Sequence, residues 1–568
     1  MAITRKSAAA VAVAASVAVT LAGCGSSGSS GNGTKGGTLY YLIGKGTVEK
    51  WDPQSMYVGR DLNNASRLWS RGLVQLPVGE DHVKDNEPVP DLATNTGTAT
   101  DNSKTWSFTL KNDVKWQDGK PVTCADLKYG VSRTFATDVI TGGPSYARGY
   151  LDIPQKNGQT IYKGPYAHDA VGQAAFDKAV VCSADNKTIT YHFNKPWPDF
   201  PKAVANLTFF NPYRQDQDQG AKSNFAVFSD GPYMLQGSWN ANTGGTFVRN
   251  PQYVASTDPV RKAYPDKIVF SEGNDTSAIY TRLFADGGND QFAITERRVP
   301  VTMYAQMNNA SVKSREKTWN TNAIDYLTPN FKRLTNLKVR QALALGTDTA
   351  SWIAVGGGPK AFIPAYSVVP PSVVGYAKNP AFTGFDPVKA KALLQSAGVK
   401  MPYPIKFTYQ SLSPTGDKQA AALQQGWDKA GFNVTLAPLT DTYYNVVNNP
   451  SSDTDVTWAG WGPDWPSSAT VIPPLFDGRL NLTGTTNNND YGNYNSAAVN
   501  SLIDQAYTKS TVAEQAAVFE QADVQLGKDV AYIPLEQRVY EFVYGSKVKN
   551  FTICVETDLP DLGAIAVQ

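Results

Sequence analysis

The chain has 568 residues and a formal net charge of +2 at neutral pH. This length allows two or three domains with a substantial core, and the small net charge argues against nucleic acid as a main partner. Beyond the first 23 residues, no apolar stretch approaches the ~20 residues that a membrane-spanning helix needs.

The first 23 residues have the pattern of a signal peptide that ends at a lipoprotein processing site. Arg5 and Lys6 precede a short apolar run over residues 8–19, which is too short to cross a bilayer. Leu21-Ala22-Gly23-Cys24 follows, with small residues before a cysteine that can carry a diacylglycerol. We predict that residues 1–23 are removed and that lipidated Cys24 holds the protein at the outer face of the cytoplasmic membrane, as a cell-surface or periplasmic lipoprotein. A secretory signal with a chance cysteine is the alternative.

A flexible linker is predicted to follow the lipidated cysteine. Residues 24–37 are almost entirely Gly, Ser, Asn and Thr after Cys24, and such a segment cannot bury apolar surface. Its root-mean-square length is about 20 Å. The folded body is predicted to begin with a buried strand over residues 38–43.

The first half of the body mixes strands with helices. Trp106, Phe108 and Leu110 alternate with polar residues, as do the residues around Tyr191, and this period is typical of half-buried strands. Thr123 is placed to cap a helix that begins at Cys124. The pattern predicts a mixed α/β protein.

The second half contains clearer helix signals. Asp386 is a predicted cap, Pro387 occupies the first helical position, and Gly398 ends the helix. Further helices are predicted over residues 416–431, 497–507 and 512–526. Strands are predicted over residues 434–436 and 531–535.

Three cysteines remain if Cys24 carries lipid, so at most one disulfide can form within the chain. Outside the cytoplasm the compartment is oxidising. We favour a bond between Cys124 and Cys182, which would leave Cys554 unpaired; three buried thiols are the alternative.

Several motifs in this order resemble the extracellular solute-binding proteins of family 5, the peptide and nickel receptors of ABC importers. Residues 108–123, FTLKNDVKWQDGKPVT, are the most specific of them. The others are Trp51-Asp52-Pro53, Pro90-Asp91-Leu92-Ala93, Gly231-Pro232-Tyr233, Arg249-Asn250-Pro251-Gln252-Tyr253, Val339-Arg340-Gln341-Ala342-Leu343 and the helix over residues 385–398. Cys124 stands where family members usually carry Ala.

The resemblance implies an α/β fold of the two-lobed periplasmic-binding-protein type, class II or cluster C, with hinge strands. Lobe I would comprise residues 38–322 and 533–568, with an extra subdomain at about 78–205. Lobe II would comprise residues 323–532. Ligand would bind between the lobes and favour their closure through contacts with both.

The resemblance places the ligand site in residues 458–466, WAGWGPDWP. In peptide-binding relatives, the matching aspartate pairs with the ligand α-ammonium and a preceding tryptophan lines a pocket. These positions correspond to Asp464 and Trp461, and Gly460, Gly462 and Trp465 complete the candidate set. A buried ammonium needs an anionic partner. The alternatives are a turn or helix-cap role for Asp464 and core positions for the tryptophans.

Enzymatic activity is not expected. The sequence contains neither Gly-x-Ser-x-Gly nor His-Glu-x-x-His, and His82, His168 and His192 do not have metal-ligand spacing on one helix. We expect no cofactor and no metal site.

The predicted function is capture of oligopeptides by a monomer and their delivery to an ABC permease and ATPase complex in the membrane. An oligosaccharide, a nickel complex or haem as ligand, and a role in peptide signalling, are the alternatives.

Overall fold

The computed structural model describes residues 33–568. The predicted signal peptide, Cys24 and residues 24–32 of the predicted linker lie outside the described residues. The remaining linker residues contact the body, since the Gly36 amide donates to the Tyr264 carbonyl over 2.9 Å. Within residues 33–568, no helix combines the length and the apolar character required to cross a membrane.

Each lobe is built around one large sheet. In the lobe I sheet, the strand Thr38–Leu42 is parallel to both of its neighbours, and the other neighbouring strands pair antiparallel. The lobe I strands, in spatial order, are Tyr233–Asn240, Gly244–Arg249, Lys267–Ser271, Thr38–Leu42 and Ala293–Ile294. Those of lobe II are Phe362–Pro364, Ile533–Val543, Glu316–Pro329, Val456–Trp461, Tyr403–Gln410 and Phe432–Leu439.

A smaller antiparallel sheet lies in the predicted subdomain of lobe I. Its strands, in spatial order, are Thr98–Thr100, Thr105–Thr109, Thr188–His192 and Val180–Cys182. Three strand pairs also occur in the described residues: Val74–Gln75 with Val89–Pro90, Gln155–Lys156 with Gln159–Thr160, and Val548–Lys549 with Ala566–Val567.

The α-helices pack around these sheets. Those of lobe I are Gly59–Leu68, Cys124–Arg133, Tyr146–Tyr150, Ala170–Ala179, Phe200–Asn206, Thr276–Ala285 and Ala310–Lys313. Those of lobe II are Leu337–Gly346, Thr349–Gly356, Pro387–Ser396, Pro414–Lys429, Tyr443–Val447, Ile472–Phe476, Gly478–Asn481, Ala497–Ala506 and Val512–Asp529. Short 3₁₀ helices span Lys84–Asn86, Thr208–Phe210, Gln215–Gln217, Gly220–Phe225, Ala255–Thr257, Gly288–Phe292, Val301–Asn308, Gly358–Lys360 and Ser468–Thr470.

Two of the helix signals have the expected local geometry. Thr123 and Asp126 form a reciprocal capping box at the helix Cys124–Arg133. The helix Pro387–Ser396 is capped by Asp386 and followed by Gly398 at φ +68°, in the left-handed region that glycine adopts without strain.

The two lobes are joined by a pair of long antiparallel strands, Glu316–Pro329 and Ile533–Val543, which we call the hinge strands. Their register shifts between Asn320 and Ile324. Trp319 and Phe542 pack in the lobe I core, whereas the opposite ends of both strands pack in the lobe II core. The two-lobed α/β fold implied by the resemblance is confirmed.

The second crossing lies later in the chain than predicted. The resemblance implies a return of the chain to lobe I at residue 533, but Ile533 and Leu535 pack in the lobe II core. The predicted short strand over residues 531–535 is in fact the start of a continuous strand that ends at Val543. The first predicted boundary, at residues 322 and 323, falls within the register shift.

A disulfide joins Cys124 to Cys182, with Cα atoms 5.8 Å apart. It links the start of the helix Cys124–Arg133 to the strand Val180–Cys182 within the subdomain. Cys554 is a buried, free thiol.

Candidate ligand-binding site

The segment of residues 458–466 leaves lobe II and reaches lobe I. Its first residues end the strand Val456–Trp461, in which Trp461 pairs with Ile324 of the first hinge strand. The chain then leaves the sheet beside the hinge and crosses the cleft between the lobes. Asp464 and Trp465 consequently contact residues of lobe I.

Asp464 is held by two tyrosines of lobe I. Its Oδ2 accepts hydrogen bonds from the hydroxyls of Tyr57, over 2.7 Å, and Tyr146. Within residues 33–568, no donor is bonded to Oδ1. Burial raises the pKa of Asp464, while the two tyrosine hydrogen bonds act in the opposite direction. The carboxylate therefore has an acceptor oxygen available for a ligand.

A cavity of about 280 Å³ lies at Asp464. Its walls come from both lobes and from the hinge strands, and three of its lining residues are acidic. We call it the acidic cavity. Its lining residues are Tyr57, Gly59, Leu62, Asn206, Leu207, Asn322, Ala323, Gly462, Pro463, Asp464, Tyr540, Glu556, Thr557, Asp558 and Leu559.

The other two acids of this cavity have different surroundings. Asp558 accepts hydrogen bonds from the indole nitrogen of Trp319 and the backbone amide of Asn322, each over 2.8 Å. Burial raises the pKa of Asp558 to about 7. Burial also raises the pKa of Glu556, and repulsion from Asp558 and Asp464 adds to this effect.

A second cavity, of about 380 Å³, adjoins the acidic cavity. The two share Gly59, Tyr540 and Leu559 as lining residues. We call the second one the arginine cavity because four arginines line it, namely Arg60, Arg297, Arg298 and Arg538. The cleft therefore carries opposite charges in two adjoining spaces.

Two of the five candidate residues predicted from the sequence line the acidic cavity, and three do not. Asp464 and Gly462 line the acidic cavity, whereas Trp461, Gly460 and Trp465 do not. The indole of Trp461 donates to the Thr470 carbonyl over 2.8 Å and packs against the lobe II core. Gly460 pairs with Asp325, and a Cβ there would collide with the Asp325 carboxylate.

Trp465 is fully buried against lobe I rather than exposed to the cavity. Its indole nitrogen donates to Asp199 over 2.7 Å, and its ring lies edge-on to Tyr146 at 4.7 Å. A ligand contact was predicted for it because tryptophans near the motif were expected to face the cleft. In this closed arrangement its contacts instead join the two lobes.

Other contacts also hold the lobes together at the subdomain. The Lys195 ammonium lies 4.2 Å from the rings of both Tyr150, in lobe I, and Tyr507, in lobe II. The Ser103 hydroxyl donates to the Ser510 carbonyl over 2.8 Å. The described chain is therefore in a closed state.

Several residues of the candidate site are not predicted from the sequence. Glu556 and Asp558 lie two residues apart in a mostly apolar terminal segment, and acidic residues in such a segment are a pattern that could have indicated a functional role. Tyr57, Tyr146 and the arginines are spread along the chain, and only the fold brings them to the cleft.

Within residues 33–568, His, Cys, Asp and Glu side chains form no group of three that could hold a metal ion.

A larger, mostly apolar cavity of about 800 Å³ lies in lobe II, lined by residues such as Leu345, Phe382 and Ile533. It shares no residue with the two cleft cavities.

A model of the bacterial extracellular solute-binding proteins, family 5 Middle, matches residues 87–481. This is more than half of the chain, and the protein belongs to that family. Members of the family are substrate-binding proteins rather than enzymes.

Relatives and solved structures agree with this assignment. The chain is 26% identical over 479 residues to the periplasmic murein peptide-binding protein MppA of Escherichia coli (strain K12), with 82% of this chain and 81% of MppA covered. It is 24% identical over 529 residues to the oligopeptide-binding protein OppA of Bacillus subtilis (strain 168), with 88% of each covered. The structure of clavulanic acid biosynthesis oligopeptide binding protein 2 has a similar fold, with a TM-score of 0.83, 24% identity, and 94% of this chain and 96% of that one covered.

Proposed function

We propose that this protein is the peptide receptor of an ABC importer. It binds a short peptide between its lobes, with the peptide α-ammonium at Asp464, and delivers the peptide to a membrane permease and its ATPase. Lipid on Cys24 keeps the receptor beside that permease and raises its local concentration there. Several relatives are named as peptide-binding proteins, which supports this ligand class.

The position of Asp464 is the observation that carries the proposal. Its Oδ1 lacks a donor among residues 33–568, and its side chain lines a cavity between the lobes. An ammonium there gains a charge-assisted hydrogen bond that a neutral ligand cannot form. Because the tyrosines that bond Oδ2 belong to lobe I, a ligand at this aspartate contacts both lobes and favours their closure.

The adjoining arginine cavity supports a ligand with charges of both signs. A peptide in its zwitterionic form has an ammonium at one end and a carboxylate at the other. With the ammonium at Asp464, the carboxylate can point toward Arg298, which lines the neighbouring cavity. A neutral oligosaccharide has neither group.

The proposal is tested with an Asp464→Asn variant and a pair of peptides that differ only in N-acetylation. For the native protein, acetylation removes the α-ammonium, and we expect it to weaken binding by about 100-fold (~3 kcal/mol), the upper range for a hydrogen bond to a charged group. The variant should bind the free peptide about as weakly as the native protein binds the acetylated one. Isothermal titration calorimetry measures both.

The matched control is Asp453→Asn, which makes the same change at an exposed lobe II aspartate paired with Lys406. It should bind the free peptide as the native protein does. Equal affinity of the native protein for free and acetylated peptides would refute the role of Asp464. A failure to bind any peptide, with tight binding of an oligosaccharide, would refute the proposed ligand class.

A further inference from the structure

The carboxylate of Glu556 has no partner in the described structure. Within residues 33–568, no side chain or amide donates a hydrogen bond to it, and no cation lies within ion-pair distance. The residue is only 9% exposed, and its Oε2 is buried without a partner. Glu556 nevertheless lines the acidic cavity.

An unpaired buried carboxylate is unfavourable, because burial removes its hydration and nothing replaces it. The groups that face Glu556 increase the cost: Asp464 and Asp558 repel it. Lys202 attracts it from further away, but the Lys202 ammonium is bound to Glu87 at 2.6 Å. The other titratable residues lining the cavity are Tyr57 and Tyr540.

We propose that Glu556 binds a cationic side chain of the ligand, so that the preferred peptide begins with Arg or Lys. This inference rests on the proposed function, in which Asp464 binds the α-ammonium. It adds a second cation to the ligand and assigns that cation to a second carboxylate. The chemistry required is an ammonium and a basic side chain on one residue, which a peptide N-terminus or a free basic amino acid provides.

The small size of the cavity favours a ligand that carries both cations on one residue. Asp464 and Glu556 line one space of about 280 Å³, which is slightly below the usual range of ~300–1,000 Å³ for ligand pockets. A space of that size holds little more than one residue. A basic side chain further along the peptide would have to leave it.

Asp558 is less suited to the same role. Both of its carboxylate oxygens accept hydrogen bonds from the first hinge strand, through Trp319 and Asn322. It therefore positions the strand and adds negative potential, whereas Glu556 has both oxygens available for donors. Of the two acids in this segment, Glu556 is the ligand-facing one.

The experiment compares Arg-Ala-Ala with citrulline-Ala-Ala by calorimetry at pH 7.5. Citrulline has the shape of arginine but no charge, so the pair isolates the effect of the cation. We expect the native protein to bind the arginine peptide at least about tenfold more tightly. In Glu556→Gln this preference should fall to about threefold or less, while affinity for the citrulline peptide stays within about twofold.

The control variant is Glu520→Gln, which makes the same substitution at an exposed glutamate of lobe II. It should keep the full preference for arginine. Glu556→Gln replaces a buried carboxyl that has no hydrogen-bond partner by a neutral amide of the same shape, so its unliganded melting temperature should equal or exceed that of the native protein. The comparison of the arginine and citrulline peptides on the native protein tests the proposal even if the variant does not fold.

The outcomes separate this inference from the proposed function. Equal binding of the two peptides by the native protein overturns the inference and leaves peptide binding intact. Free arginine that binds as tightly as Arg-Ala-Ala supports the cation site but contradicts a peptide as the ligand. Failure of both peptides and of free arginine to bind overturns the proposed function and the inference together.

Discussion

The two cavities of the cleft differ in how their charges are compensated. In the arginine cavity, Arg538 is paired with Asp325 at 2.6 Å, and Arg297 is paired with Glu296 at 3.2 Å. In the acidic cavity, Glu556 has no counter-ion among residues 33–568. Positive charge in the cleft is thus largely neutralised within the protein, whereas negative charge is not.

This difference indicates what each cavity requires of a ligand. A carboxylate entering the arginine cavity competes with acids already bound to its arginines, so its net gain is small. A cation entering the acidic cavity competes with no resident cation, and it relieves the repulsion among three acids. We therefore expect the ligand's positive groups to contribute most of the affinity and specificity.

The pH dependence of binding tests this asymmetry first. In the empty closed form, the raised pKa of Glu556 and that of Asp558, at about 7, favour protonated carboxyls. A bound cation lowers both pKa values, so binding releases protons. Affinity therefore rises with pH until the pH exceeds the pKa of the carboxyls in the empty form. We expect Arg-Ala-Ala to bind about tenfold more tightly at pH 7.5 than at pH 6, since one released proton gives at most about tenfold per pH unit and the peptide's α-ammonium, with a pKa of about 8, stays mostly charged over this range.

Calorimetry in buffers of different ionisation enthalpy measures the released protons directly. The citrulline peptide should release fewer protons and show a weaker pH dependence. An identical pH dependence for the two peptides would show that the cavity carboxyls do not respond to the side-chain cation.

A smaller effect is expected in the arginine cavity. Arg298 is exposed and has no acidic partner among the described residues; its guanidinium lies 5.5 Å from the centre of the Tyr540 ring. Arg298→Gln should weaken binding of a peptide with a free carboxylate by about threefold, the range of an exposed ion pair. It should not affect the C-terminally amidated peptide.

The control for this variant is Arg282→Gln, at an outer helix of lobe I where Arg282 pairs with Asp290. It should affect neither peptide. A loss of more than about tenfold in Arg298→Gln would reverse the comparison, because the carboxylate would then contribute as much as the cation.

Features that depend on residues close together in the sequence could be predicted from it, whereas features that depend on residues far apart in the sequence could not. The helix cap at Thr123 depends on Asp126, three residues away, and was predictable from local chemistry. The interlobe position of Asp464 came from a resemblance, since no local pattern distinguishes it from a turn residue. Glu556 reaches the same cavity only because the terminal segment folds back to the cleft.

The orientation of the Trp465 side chain could not be predicted from the sequence. The sequence indicates an aromatic residue next to Asp464, but whether its ring faces ligand or the other lobe depends on Tyr146 and Asp199, which lie far away in the sequence. The second hinge crossing was also misplaced, because a continuous strand shared by two cores has no sequence signal where it leaves one of them.

The ligand carried by the natural protein tests the central claim most directly. Protein purified from its own cells without unfolding, then denatured, should release its ligand for mass spectrometry. We predict short peptides with a free N-terminus and an excess of Arg or Lys as the first residue. Recovery of an oligosaccharide, a tetrapyrrole or a metal complex, with no peptide, would contradict a receptor that holds a peptide ammonium at Asp464.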